Sequence, residues 1–258
     1  KFKVDKFDSI FVYEGELKLN YPKGEERTLF FLNDICFING YYFVVSEDRK
    51  KVMRFDSSGK FWGFIGRGGY GPGEFNKILN LSVDASEDMI IIDLASFKML
   101  VLKYPDYNQY DEIRLGTAVI GALRNQVGRF VIYSLYTDSL LSEVSPKGVI
   151  VRGFLSPADE NLKLFISRTY SGCLWLDRNG NLYFADPTSC NIFVYDSSLK
   201  LIRKYVPGEG LKEFFGCPAG RFPKNLSPYE VTSEHVKFWQ SFSHPHSGTF
   251  LDDTLFLV

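Results

Sequence analysis

Apolar residues fall along this chain in short blocks with a two-residue alternation, separated by clusters of Gly, Asp, Asn and Ser. Long stretches with a 3.6-residue period are missing, so the pattern predicts strands and tight turns. Three segments then align without a gap. Tyr41-Tyr42-Phe43-Val44-Val45-Ser46 is followed six residues on by Val52-Met53-Arg54-Phe55-Asp56. Met89-Ile90-Ile91-Ile92-Asp93 leads at the same distance to Met99-Leu100-Val101-Leu102-Lys103, and Leu182-Tyr183-Phe184-Ala185-Asp186 to Ile192-Phe193-Val194-Tyr195-Asp196. Ser46, Asp93 and Asp186 stand at one position of this repeat, and Phe55, Leu102 and Tyr195 at another. The spacing leaves room for one more unit, and a weaker one is present in Phe130–Ser134 and Leu140–Val144.

Each unit offers an inner strand, a short turn, a second strand, a polar loop, a third strand, a Gly/Asp/Ser turn and an outer strand. Four antiparallel strands per 40–50 residues is the blade of a β-propeller. The expected fold is therefore all-β, a propeller of four-stranded antiparallel blades. The units divide the chain into N-terminal strands at 1–29, blades at 30–66, 76–115, 116–155 and 165–206, a long insertion at 207–246, and the start of a further blade at 247–258. The segment 1–29 is a candidate for ring closure. Within the insertion, Ser227-Pro228-Tyr229-Glu230 has the form of a helix start. Asp93 and Asp186 are expected to accept hydrogen bonds from the turns that follow them. Asp56-Ser57-Ser58-Gly59 and Asp196-Ser197-Ser198-Leu199 should be hairpin turns held by their own side chains.

The stretch Phe61-Trp62-Gly63-Phe64-Ile65-Gly66-Arg67-Gly68-Gly69-Tyr70-Gly71-Pro72-Gly73-Glu74-Phe75 links the first two blades. Gly66-x-Gly68-x-x-Gly71 formally matches a dinucleotide fingerprint. That motif needs a helix to open at once, whereas here Pro72-Gly73 follows and strand resumes at Ile78. The expected role is a crowded crossing between sheets, with glycines at φ > 0 and Phe75 filling the gap. A degraded copy, Pro207-Gly208-Glu209-Gly210-Leu211-Lys212-Glu213-Phe214-Phe215, follows the fourth unit.

The motif Val52–Lys60 together with the crossing Ile65–Phe75 resembles the Bacteroidetes-type six-bladed β-propeller family, relatives of NHL-repeat propellers. The likeness is specific over 41–113, recognisable over 172–205 and faint over 115–155. It implies six blades in complete form, of which about four and a half are present, and a secreted or lipid-anchored extracytoplasmic protein with any anchor upstream of residue 1. The chain opens at Lys1 without a Met or a signal-like segment, consistent with a leader removed from the numbered sequence.

Aromatic residues form 16% of the chain, with 24 Phe and 15 Tyr, which suits half-buried pleated surfaces. The net charge is −1 with no basic block, which argues against a nucleic-acid partner. No apolar run reaches the length of a membrane-spanning helix. Four cysteines (Cys36, Cys173, Cys190, Cys217) lack any regular spacing. Cys36 and Cys173 read as buried thiols, while a Cys190–Cys217 or Cys173–Cys190 bridge stays open. Paired carboxylates such as Glu25-Glu26, Glu47-Asp48, Asp111-Glu112 and Asp159-Glu160 sit in polar turns and read as solvated surface.

Propellers take ligands around the central channel, which the inner strands line. The register puts Asp34, Asn80, Gly121, Cys173 and Ser247 at equivalent places near the start of those strands, with Asn33, Arg124, Arg168, Tyr170 and His246 nearby. Asn33, Asp34, Asn80, Arg124, Arg168, Tyr170 and His246 are the expected ligand-binding set at the channel mouth; a wet channel lined by polar groups that satisfy one another is the plainer reading. His244-Pro245-His246 puts two imidazoles on one face of a strand, an incomplete metal-ligand set. No G-x-S-x-G marks a nucleophile. Of the aromatic pairs, Phe61-Trp62 is expected in the core, and Trp239 as an exposed platform. No catalytic residue, cofactor or resident metal is expected. The function expected is non-enzymatic binding or scaffolding outside the cytoplasm, toward a protein partner or glycan. The alternative is a metal-dependent lactonase- or lyase-type enzyme at the channel mouth, for which Asp34, Asn80 and His246 are the available ligands.

Overall fold

Each of the four repeat units folds as a four-stranded antiparallel sheet. A computed structural model describes residues 18–23, 34–46, 48–84, 86–158, 160, 163, 172–189, 191–206, 233, 234, 237, 248–251 and 254–257. The first sheet is β1 (Ile35–Ile38), β2 (Tyr41–Val45), β3 (Val52–Asp56) and β4 (Phe61–Ile65), in that order. Strands β5 (Arg67–Gly68) and β6 (Glu74–Phe75) form a short parallel pair in the crossing. The second sheet holds β7 (Ile78–Val83), β8 (Met89–Asp93), β9 (Lys98–Leu102) and β10 (Tyr110–Arg114). The third comprises β11 (Gly121–Arg124), β12 (Phe130–Tyr133), β13 (Leu141–Val144) and β14 (Ile150–Leu155). In the fourth are β15 (Cys173–Leu176), β16 (Leu182–Ala185), β17 (Ile192–Tyr195) and β18 (Leu201–Tyr205). A further hairpin pairs β19 (Gly248–Leu251) with β20 (Thr254–Leu257). The strands β1, β7, β11, β15 and β19 adjoin one another in succession, which makes them the inner strands of a partial propeller.

The apolar blocks are continuous because the blades are covered on both faces. Along β8, Met89 and Ile91 enter the cluster shared with the first blade, which contains Phe43, Val45, Val52 and Phe75. Their neighbours Ile90 and Ile92 point the other way, into the cluster with Ala122, Phe130 and Ile132 of the third blade. Antiparallel strands usually read as alternating apolar and polar; here the second blade is sandwiched, so both phases of the alternation are apolar. A third cluster, with Tyr133, Phe184 and Tyr195, joins the third and fourth blades. On the first blade's other face, Val44, Met53 and Phe55 are covered by Leu19 and Tyr21.

The turns follow the expected side-chain chemistry. Asp56 Oδ1 accepts from Ser58 N at 2.9 Å and Lys60 N at 3.0 Å, and Asp196 repeats this with Ser198 N and Lys200 N at the same distances. Asp186 Oδ1 accepts from Thr188 N at 2.8 Å, inside the loop that follows β16. Asp93 Oδ1 likewise accepts from Ser96 N at 3.4 Å in the turn after β8, and it does more. Its oxygens take Asn76 N and Lys77 N at 2.9 Å each, so this carboxylate ties the incoming chain to the end of β8. Glu112 departs from the solvated reading of the acidic pairs. It meets the buried Lys98 ammonium at 3.1 Å, because that ammonium also donates to Gly71 O at 3.0 Å and locks the crossing onto the second blade.

In the crossing Gly66 has φ +71°, and a Cβ there would lie 2.2 Å from the Phe75 ring. Phe75 is fully buried, as the gap-filling reading requires. Glu74 closes the loop, accepting from Arg67 Nε at 2.8 Å and Gly71 N at 2.8 Å. Cys36 and Cys173 are free thiols, half-buried and buried respectively. Burial pushes them up to about 11 and about 12. Cys190, Cys217 and the helix start at Ser227 lie outside the described residues.

Candidate binding cleft

Blades radiate from the inner strands, so neighbouring sheets diverge toward their outer edges. Between the first and second blades this divergence leaves a cleft of about 650 Å³. One wall is the face of the first blade that carries Phe43, Arg54 and Gly63, which the register places opposite one another across β2, β3 and β4. The other wall is the β9–β10 turn, Tyr104 to Asn108, of the second blade.

Arg54 organises the floor. Its guanidinium lies 3.8 Å over the Tyr41 ring, with Phe43 and Tyr107 at 5.6 and 5.8 Å. Such stacking holds the planar group in place while desolvating it. Nη1 donates to Asp106 O at 3.0 Å across the cleft. Nε is buried and has no hydrogen-bond partner among the described residues. A buried orphan donor of this kind costs about 1–3 kcal/mol. Tyr107 adopts φ +57° and is buried, packing edge-on against Phe43 at 5.2 Å. Its hydroxyl donates to Glu87 O at 3.1 Å and accepts from Asn39 Nδ2 at 3.3 Å. Burial raises this phenol, which keeps it a hydroxyl. The Asp106 carboxylate turns back on its own loop, taking Asn108 N at 3.3 Å and Asn108 Nδ2 at 3.2 Å.

The rim is aromatic. Trp62 is 60% exposed and Tyr104 46%. Trp62 meets Tyr41 edge-on at 5.9 Å, whereas the Phe64 ring, opposite Met53, packs on Phe61 at 4.9 Å on the first blade's other face. The expectation that Phe61-Trp62 packs in the core holds for Phe61, which meets Phe55 at 5.7 Å, and fails for Trp62. The register shift between Arg54 and Phe55 opposite β4 separates the two, and Trp62 turns to the open cleft, where no strand of the described residues covers the outer edge of the first blade. Cross-strand from Arg54, Gly63 leaves the cleft open: a Cβ there would meet nothing within 4 Å.

Of the channel-mouth residues, Asp34 and Asn80 come together. Asp34 Oδ2 accepts from Leu81 N at 2.6 Å and Asn80 Nδ2 at 3.4 Å, joining the first two inner strands. Burial pushes the Asp34 carboxyl up to about 6. Arg124 is held at the opposite end of the inner strands, since its strand partner is Phe130 whereas Asn80 pairs near the other end with Ile92. Its Nε donates to Asp84 Oδ2 at 2.6 Å and its Nη2 to Asp88, an inter-blade ion pair that raises Arg124 further. Asn33, Arg168, Tyr170, Trp239 and His246 lie outside the described residues. Among the described residues no group of three or more His, Cys, Asp or Glu side chains is arranged to hold a metal ion.

Residues 25–145 match the profile of a family described as a 6-bladed beta-propeller. The match takes in the first two blades and the third as far as β13. Among solved structures, a Bacteroides fragilis NCTC 9343 protein classed as exported superposes with a TM-score of 0.59 at 18% identity, over 79% of this chain and 60% of its own. Virginiamycin B lyase from Staphylococcus aureus gives 0.49 at 13% identity, over 68% and 55%. A Bacteroides caccae protein of unknown function gives 0.47 at 10% identity, over 68% and 60%. The chain thus spans about 60% of the length of the first of these, and the likeness to it is one of fold. No curated protein matches the sequence. Among the described residues no helix is long and apolar enough to cross a membrane.

Proposed function

We propose that this chain is a binding propeller that works outside the cytoplasm and takes a glycan in the cleft between its first two blades. The observation that carries the reading is the pairing of an exposed indole, Trp62, with a preformed polar floor at Arg54, Asn39 and Asn108. A pyranose presents one apolar face and a belt of hydroxyls. An aromatic rim above convergent donors and acceptors matches both at once. Asn39, Tyr107 and Glu87 are already hydrogen-bonded to one another, so the wall is rigid before ligand arrives. A site prepared in this way spends little ordering entropy on binding. The location outside the cytoplasm is supported by the sequence resemblance and by the exported Bacteroides fragilis protein that shares the fold.

A glycan array probed with the purified chain tests the reading, followed by titration of the best binders against Trp62→Ala. Loss of the ring should weaken binding at least about tenfold, the cost of one well-placed aromatic contact. The melting temperature should stay put, since Trp62 is largely outside the core. Undiminished binding by the variant, or capture of no glycan at all, would overturn the proposal; a protein ligand recovered instead would replace it.

A further inference from the structure

We infer that the ligand of this cleft carries a carboxylate, as a uronic-acid residue does, and that Arg54 reads it; this rests on the glycan-binding proposal. Three features point to an anion. The Arg54 fork uses one Nη1 proton on Asp106 O and leaves Nη2, which unlike Nε is not buried, without a partner among the described residues. The end of the fork that Nη1 and Nη2 form therefore lacks the acceptor its geometry is made for. A carboxylate meets two adjacent guanidinium donors with matched spacing, whereas a lone hydroxyl meets one. The cleft also holds its negative charge aside. Asp106, the acidic side chain among its lining residues, is turned onto Asn108. Finally, the way in is kept clear at Gly63, the cross-strand partner of Arg54. Any side chain at that position would project over the guanidinium, and the structure leaves that space empty.

Stacking on Trp62 and charge pairing at Arg54 then divide the work. The indole accepts the ring face of many hexoses, and the guanidinium selects those with a carboxylate. Gly63 also supplies a clean probe. A Cβ there meets nothing, and its φ is not in the left-handed region, so Gly63→Leu fills the cleft without straining the strand.

The test is titration calorimetry with oligomers of galacturonic acid, of glucuronic acid and of mannuronic acid, each set against its carboxyl-reduced neutral counterpart. At least one acidic oligomer should bind about tenfold or more tightly than its reduced form, with affinity falling as salt is raised. Arg54→Gln should abolish that preference, Arg54→Lys should restore it only in part, and Gly63→Leu should block binding while keeping the wild-type melting temperature. Equal affinity for acidic and reduced forms overturns the carboxylate inference and leaves glycan binding standing. Acidic binding that survives Gly63→Leu also overturns it, because the site is then elsewhere. No binding by either form, together with an empty glycan array, brings down both.

Discussion

Asp34 shows how one side chain serves the fold and carries a cost that depends on pH. It bridges two inner strands through Leu81 N at 2.6 Å, yet burial raises its carboxyl to about 6, above the ordinary value near 4. The folded state therefore holds its proton more tightly than the unfolded chain does. The resulting stabilisation is complete below about pH 4 and is lost as pH rises through about 6, a swing of about 2–3 kcal/mol. Urea denaturation at pH 4, 5, 6 and 7 should show Asp34→Asn gaining on the wild type by that amount across the interval. A pH-independent difference between the two would contradict the assignment. Cys36, beside Asp34, stays protonated throughout this range because its thiol is also raised, to about 11.

The crossing between the first two blades is an element whose parts need one another. Gly66 is at φ +71° and against the Phe75 ring, so Gly66→Ala combines backbone strain with a clash and should cost about 2–4 kcal/mol. Phe75→Ala empties a fully buried site and should cost about 3–5 kcal/mol. The double variant should lose clearly less than the sum, since removing the ring removes the clash. Additive losses in a denaturation cycle would mean that Phe75 does not fill the space Gly66 leaves. The ion pairs beyond this element follow a similar logic. Arg124 reaches Asp84 with Nε and Asp88 with Nη2, so Arg124→Lys can keep the charge and still should recover less than half of the stability lost in Arg124→Ala.

Across the whole molecule, stability should follow the sandwiching of the blades. All five residues of β8 and all five of β9 are buried, whereas all five of β18 are exposed. In a repeat architecture each blade is stabilised chiefly by its neighbours, so protection should be highest in the second blade. Hydrogen exchange followed by mass spectrometry should find β8 and β9 the slowest strands to exchange and β18 among the fastest. Uniform exchange across the four blades would show instead that they open as one cooperative unit.

Most of the architecture was written locally. The Ser46/Asp93/Asp186 register, the Asp56 and Asp196 turns and the Phe75 plug depend on residues close in sequence, through strand alternation and turn geometry. These are interactions that a linear pattern encodes directly. Arg54 left a trace too. It stands where the aligned strands β9 and β17 carry Val101 and Val194, a charge breaking an apolar repeat position. The cleft itself left none. Trp62, Arg54 and Tyr104 come from three separate strands and turns of two blades, and the sequence placed Trp62 in the core. Their meeting depends on how far two twisted sheets diverge from a shared inner edge, a distance set by the packing of Phe43, Phe75 and Met89 between them. Side-chain periodicity determines which face a residue occupies. Only the packed sheets decide whether that face is covered by the next blade or opens onto solvent.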